Sequence, residues 1–296
     1  MRMFLTLLAL SGCTACLAMG KPLVVCLEQD SPPYSTHAGG IDNSVALAVA
    51  DSMGLPLIIH WYETDAGDEG NPALQVNALL SAGKCELAGG FAMAKNNFAD
   101  PGGQKFSLEI AAGERQLVVL KPLAPSLPYH AQVFTLIWST DRPETPPANL
   151  DDLQGLSILV EENSVADLIL MTHGNGALRP SIHHVKPAGD SIFNTLNNGE
   201  ADGAWVAQHR FEAWKNQHPE SNLKASVWTH DFAINLGFVA LKSNYQLLER
   251  VDESIEELED DAELEAIFAA ENLTYIEPRQ PYLMPPLSAR LFAPKN

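Results

Sequence analysis

Basic side chains are scarce: 18 Lys and Arg stand against 37 Asp and Glu, a formal net charge of −19. A nucleic-acid backbone is excluded as a partner, while a basic protein is not. Long apolar runs are missing too. The run at residues 3–10, after the Met1-Arg2 start, is too short to span a bilayer and reads as the core of a secretory signal, residues 1–20. There is no Gly-x-Ser-x-Gly elbow, no phosphate loop and no Gly-x-Gly-x-x-Gly turn. The nine histidines are scattered, and His183-His184 on a strand would point to opposite faces, so neither a metal nor another cofactor is expected.

Cysteine is limited to four residues, and Cys13 and Cys16 fall within the leader. Ala18-Met19-Gly20 suits cleavage before Lys21, whereas Leu10-Ser11-Gly12-Cys13 resembles a lipobox, and lipidation at Cys13 would tie the protein to a membrane. Either route leaves Cys26 and Cys85. An oxidising compartment lets them bond, in a loop worth ~4 kcal/mol on the chain-entropy account; the other reading is two buried thiols.

What the chain does contain is helix alternating with strand, twice over. Residues 45–53 read as helix, 57–62 as buried strand, 72–82 as helix, and 86–91 as strand after a Gly83-Lys84-Cys85 corner, with Gly54 and Gly83 stopping the helices. The unit recurs as strand 156–160, helix 164–172, strand 182–185, helix 190–198, the corner Gly199-Glu200-Ala201-Asp202 and strand 203–206. Such alternation predicts an α/β fold with parallel sheets, here in two similar lobes. Ahead of the first unit a buried strand, 23–27, runs into Glu28-Gln29-Asp30-Ser31-Pro32-Pro33-Tyr34. Its prolines force an extended loop at the strand's carboxyl end, where open parallel sheets take ligands, and Asn43 or Ser44 is expected to cap the helix that follows.

The loop ending Pro32-Pro33-Tyr34, Gly40-Ile41-Asp42 before an Ala-rich helix and Gly83-Lys84-Cys85-Glu86-Leu87 come first. Asn149-Leu150-Asp151-Asp152-Leu153-Gln154-Gly155, Gly199-Glu200-Ala201-Asp202 and Leu236-Gly237-Phe238-Val239-Ala240-Leu241-Lys242 complete the series. In this order, over residues 21–273, they resemble the family 3 bacterial extracellular solute-binding proteins. The resemblance implies a two-lobed periplasmic-binding-protein (Venus flytrap) fold with two hinge crossings, near 129–132 and 232–236. Lobe I would be 21–130 plus 233–273, and lobe II 131–232. It implies a monomeric, periplasmic, non-enzymatic protein that binds a small molecule between its lobes and works with an ABC transporter permease.

In the family's amino-acid binders an aromatic packs on the ligand, an arginine clamps its carboxylate and an aspartate holds its ammonium. This chain departs at each place. Ser31, after Asp30, stands where the aromatic is expected, with Tyr34 beyond it; the strand carrying Phe91 and Met93 exits without arginine; Ala207-Gln208 replaces the aspartate. A second alignment makes 94–112 an insertion, so that Arg115 is the clamp; the other reading of Arg115 is a solvated charge at a strand start. In lobe II the first helical turn, Glu162-Asn163-Ser164, offers amides and a hydroxyl to an anionic group. A standard α-amino acid is therefore a poor match.

A narrower similarity rests on Val25-Cys26 and Gly83-Lys84-Cys85-Glu86, which look like the solute-binding-like proteins associated with quinoprotein alcohol dehydrogenases. It implies an accessory role beside a periplasmic dehydrogenase or cytochrome. A third reading comes from a cyclohexadienyl dehydratase built on this fold, and would use Glu28 and Asp30. Three segments stand apart. Residues 94–113 read as an inserted surface loop or a lid. Residues 274–296 form a Pro-rich tail with Tyr275, Tyr282, Leu283, Met284, Leu287 and Phe292, expected to lie on the body. The face opposite Leu248, Val251, Ile255 and Leu258 is acidic from Asp252 to Glu265, either solvated or docking a basic protein.

Overall fold

The computed structural model describes residues 20–64, 72–111, 113–141, 147–186 and 189–285; residues 1–19, where the secretory signal is expected and Cys13 lies, and 286–296 with Leu287 and Phe292, lie outside the described residues. The first half runs β1 (Leu23–Glu28), β2 (Asp30–Ser31), β3 (Ser35–Thr36), α1 (Ile41–Ser52), β4 (Leu57–Tyr62), α2 (Pro72–Ser81), β5 (Leu87–Ala92), β6 (Lys105–Ala111), β7 (Glu114–Val119) and β8 (Leu123–Ser139). The second runs β9 (Ile158–Glu161), α3 (Val165–Thr172), β10 (Ile182–Val185), α4 (Ser191–Asn197), β11 (Gly203–Ala207), α5 (Gln208–Gln217), β12 (Leu223–Leu241), α6 (Tyr245–Asp260) and α7 (Glu263–Ala270). No helix among the described residues is long and apolar enough to cross a membrane.

The main sheet has the order β10-β9-β11-β8-β12-β5-β1-β4. β1 pairs in parallel with β4 and β5, and β9 with β10 and β11, as the apolar strands between helices require. β8 and β12, 17 and 19 residues long, run antiparallel to each other through both halves. β8 pairs with β11 at Phe134 and Ile137, and β12 pairs with β5 at Leu236 and Gly237. The stretches read from sequence as crossings lie mid-strand, where Ala131 opposes Asn235 and Gln132 opposes Ile234.

Each half buries apolar side chains on both sides of its strands. Val45, Val49, Leu248, Val251, Ile255, Leu258 and Phe268 cover one side of the β1 half; α2 covers the other through Val76, Leu79 and Leu80. Ile169 and Leu170 of α3, then Ile192, Phe193, Phe211 and Trp214 of α4 and α5, do the same for the β9 half. A buried side chain of this size is worth about 1.5–3 kcal/mol over an exposed one.

Two expectations are corrected. Residues 94–113 are not a loose loop: after a short turn (Lys95–Phe98) the chain forms the β6–β7 hairpin, whose Leu108 and Val118 pack on α2. Alternating Phe106, Leu108 and Ile110 carried that signal, masked by Asp100-Pro101-Gly102-Gly103. Helix α1 begins before Asn43 and Ser44, and Gly40 caps it with no side-chain bond. The Ile41 and Asp42 amides donate to the carbonyls of Pro33 (3.2 Å) and Tyr34 (2.7 Å), so the proline loop itself serves the helix end. Gly40 has φ of 139°, and a Cβ there would stand 2.4 Å from the Tyr34 carbonyl oxygen, which only glycine avoids.

Cys26 and Cys85 form a disulfide across a sequence separation of 59, tying β1 to the corner that leads into β5. Replacing both with Ala should lower the unfolding free energy by ~4 kcal/mol in urea titrations, and a loss below about 1 kcal/mol would contradict the loop-closure account.

Candidate functional site

Because the proline loop caps α1, Tyr34 is turned into the hinge. Its hydroxyl accepts from Gln132 Nε2 (2.8 Å) and lies 3.4 Å from His209 Nδ1. His209 Nε2 donates to the Thr274 carbonyl (2.8 Å), which leaves Nδ1 as the acceptor for the tyrosine hydroxyl. His130 is fully buried between Tyr34, Tyr129, His209 and Phe268, ring centroids 5.2–5.8 Å away, with the Ala131 main chain as the polar group beside its ring. Burial, reinforced by His209, pushes His130 down to about 3. Burial also lowers His209 and raises Tyr34. On the β1 side Tyr129 donates to Asp42 Oδ1 (2.6 Å) and accepts from the Gly90 amide (2.7 Å). Asp42 is pushed up to about 6 by burial, against the pull of the Tyr129 bond. Gly90 has φ of 65°, and a Cβ there would lie 2.6 Å from Asp42 Oδ2.

Beside this cluster, at the carboxyl ends of β9 and β11, lies a cavity of about 160 Å³ lined by Gln132, Phe134, Glu161, Ser164, Trp205, Ala207 and Arg210 among others. Arg210 NH1 donates to Glu161 Oε2, and its NH2 to the Gly189 carbonyl (3.0 Å), so the charges of this wall cancel. Glu161 Oε1 and Trp205 Nε1 are buried without partners. At the α3 terminus Ser164 Oγ accepts from the Asp167 amide (3.0 Å) and donates to the Glu161 carbonyl (2.7 Å), while the Asp167 carboxylate accepts from the Asn163 amide (3.1 Å). The amides expected to hold an anionic group are thus already engaged, with a carboxylate beside them.

Of the residues singled out from sequence, Ser164 and Ala207 line the cavity, and Tyr34 reaches it through Gln132. Asp30 and Ser31 pair with Thr36 and Ser35 in a short ribbon, and Asp30 is exposed. Phe91 is buried against Phe98, and Met93 is fully buried. Gln208 donates to Glu212 Oε1 (2.7 Å). Glu28 accepts from Thr64 Oγ1, and burial raises its carboxyl. Neither Glu28 nor Asp30 lines the cavity. Arg115 does not supply a clamp there. It is exposed on β7, opposite Glu109 in register, and its guanidinium donates to Ser107 Oγ (3.2 Å) and the Ser107 carbonyl (2.9 Å). Sequence reasoning missed Gln132, Phe134, Glu161, Trp205 and Arg210. The available signals were the i, i+2 spacing of Gln132 and Phe134 on one strand face, and a cation just past the end of β11. Among the described residues no group of three or more His, Cys, Asp or Glu is placed to hold a metal ion.

No protein-family model and no curated protein matches this chain. Solved structures do. A histidine kinase sensor domain with similarity to periplasmic binding proteins is 19% identical with a TM-score of 0.59, over 87% of this chain and 98% of that one. The L-cystine solute receptor of Neisseria gonorrhoeae is 17% identical with a TM-score of 0.61, over 87% of this chain and 95% of the receptor. The substrate-binding protein of an amino acid ABC transporter is 18% identical with a TM-score of 0.53, over 84% and 98%. At these identities what is shared is the fold, the two-lobed periplasmic-binding-protein fold.

The buried neutral His130 sets a pH dependence. Its native value, about 3, lies below the ordinary 6.5, so between these the unfolded chain binds more protons and stability falls as pH drops from 6.5 toward 3. Asp42 works the other way below about 6, and stays in place in a His130 variant. His130→Phe should therefore shift the slope of unfolding free energy between pH 4 and 6 by ~1.4 kcal/mol per pH unit, toward relatively greater stability in acid. Denaturant titrations at several pH values would show this, and parallel slopes would mean that His130 is protonated in the native protein.

Proposed function

We propose that this chain is an exported, periplasmic binding protein that takes a small molecule between its lobes, residues 21–130 plus 233–273 and 131–232, without chemical turnover. The observation that carries this is the cavity at the carboxyl ends of β9 and β11, the edge where the fold places ligands; its lining, from Gln132 to Arg210, is the wall contributed by residues 131–232. The ligand is not a standard α-amino acid. Glu161 and Arg210 answer each other, Ala207 offers no anion, and the Asn163 and Asp167 amides are engaged beside the Asp167 carboxylate, so an ammonium finds no free anion and a carboxylate meets a like charge at the α3 terminus. One unserved acceptor, Glu161 Oε1, and one unserved donor, Trp205 Nε1, suit an uncharged molecule bearing a hydroxyl or carboxamide. A transporter permease or a sensor kinase is the partner that matches the activities named for the structural neighbours.

A second reading, an accessory protein for a periplasmic quinoprotein dehydrogenase, is favoured by the Cys26–Cys85 bridge beside Gly83-Lys84-Cys85-Glu86 and by the acidic α6–α7 face that a basic partner would cover. Asp252 is not part of that open face, since it accepts from the Leu127 amide (2.7 Å).

The test is a thermal-shift and calorimetry screen of amino acids, carboxylates, amines, alcohols, carboxamides and pyrroloquinoline quinone. A neutral ligand at a hundredfold excess over its Kd should add ~2.7 kcal/mol, and Arg210→Ala should abolish the shift. Saturable binding of an α-amino acid would overturn the assignment of ligand class. Silence across the panel with co-purification of a dehydrogenase would favour the accessory role.

A further inference from the structure

Past α7 the chain turns back across the middle of the molecule. The Thr274 amide and hydroxyl donate to the Glu212 carboxylate of α5 (3.0 and 2.8 Å), and its carbonyl accepts from His209. The Ile276 carbonyl accepts from the Ala131 amide of β8 (2.8 Å). Asn235 of β12 then grips the segment from both ends of its amide group. Its Oδ1 accepts from the Arg279 amide (2.8 Å), and its Nδ2 donates to the carbonyls of Arg279 (2.7 Å) and Tyr282 (3.1 Å). Finally, the Met284 amide donates to the Met93 carbonyl (2.8 Å), and its carbonyl accepts from the Lys95 amide (2.9 Å). The Met284 side chain is buried in a cluster with Phe134, Phe232 and Leu236.

Two features separate this from a tail resting on a surface. Asn235 is 1% exposed in the middle of a hinge strand, a place where an amide side chain is costly unless partnered, and its side-chain hydrogen bonds all go to this segment. Met93 and Lys95 lie just beyond the carboxyl end of β5, the edge where the fold receives ligands, and they pair with Met284 as an added strand would. We propose that residues 274–285 act as a tethered peptide ligand, filling the lobe I side of the cleft by main-chain pairing and tying both hinge strands to α5. Anything that must reach the Met93 and Lys95 main chain has to displace it, and the lobes separate fully only when it lets go. Met284 shares a buried cluster with Phe134, Trp205 and Ala207 of the small-molecule cavity, but the proposal rests on the main-chain pairing with Met93, Lys95, Ala131 and Asn235 and not on that reading.

Amide exchange on the full chain tests it. In the unaltered protein the Lys95, Ala131, Arg279 and Met284 amides should be protected. Met284→Asp, which puts a charge into an apolar cluster, should speed exchange at Lys95 and Ala131 at least tenfold and leave the β1 and β4 amides, outside that cluster, unchanged. Asn235→Ala should do the same at Arg279 and Lys95, and guards against a fold defect peculiar to the first variant. A synthetic peptide of residues 274–285, added to Met284→Asp, should restore protection at Lys95. Rapid exchange of Met284 and Lys95 in the unaltered protein, or no change at Lys95 in either variant, would overturn the proposal. So would a failure of the peptide to restore protection at millimolar concentration, which would reduce the segment to a structural strap.

Discussion

Main-chain pairing between β8 and β12 is the constraint on which the rest depends. Neither half of the sheet owns these strands: β11 borrows one and β5 the other, so each half is completed by chain that also belongs to its neighbour. The pairing is not regular. Its register shifts between Ala225 and Thr229, between Thr229 and Ala233, between Leu236 and Gly237, and between Gly237 and Val239. Gln132 and Phe134 face the cavity from this ladder, and His130 is held in the aromatic cluster around Tyr34.

Around these strands the interior holds several buried polar pairs. Asp42 with Tyr129, Gln132 with Tyr34, His209 with Thr274, and Asn235 with the returning segment are each satisfied by a partner far away in sequence. Such pairs add little net stability compared with apolar packing, but each tolerates only one arrangement of the elements that meet there. His130 is held differently, as a neutral ring packed like an aromatic.

Strands 57–62 and 182–185 were legible to the residue, because short β-branched or apolar runs between helices and Gly stops leave little choice. The full lengths of β8 and β12 were not, since Pro125 and Pro128 inside β8 read as breaks, and the bulged ladder that accommodates them leaves no local signature. The α1 cap was missed because its acceptors are carbonyls of the preceding loop, and a sequence shows side chains only. The candidate site was half legible. Ser164 and Ala207 could be placed by their position after β9 and in β11, whereas Glu161 and Arg210 stand 49 residues apart and are joined only by packing. Of the two readings open for Arg115, the structure takes the plainer one, a solvated charge at the start of β7.

The partners of the 274–285 segment are drawn from Met93, Ala131, Glu212 and Asn235, so no single half of the molecule presents a complete berth for it. During folding it can dock only after both halves have formed and β8 has found β12, which makes its contacts among the most non-local in the chain. Its docking is then the closing event of assembly, one that distinguishes a finished molecule from one whose halves have merely collapsed.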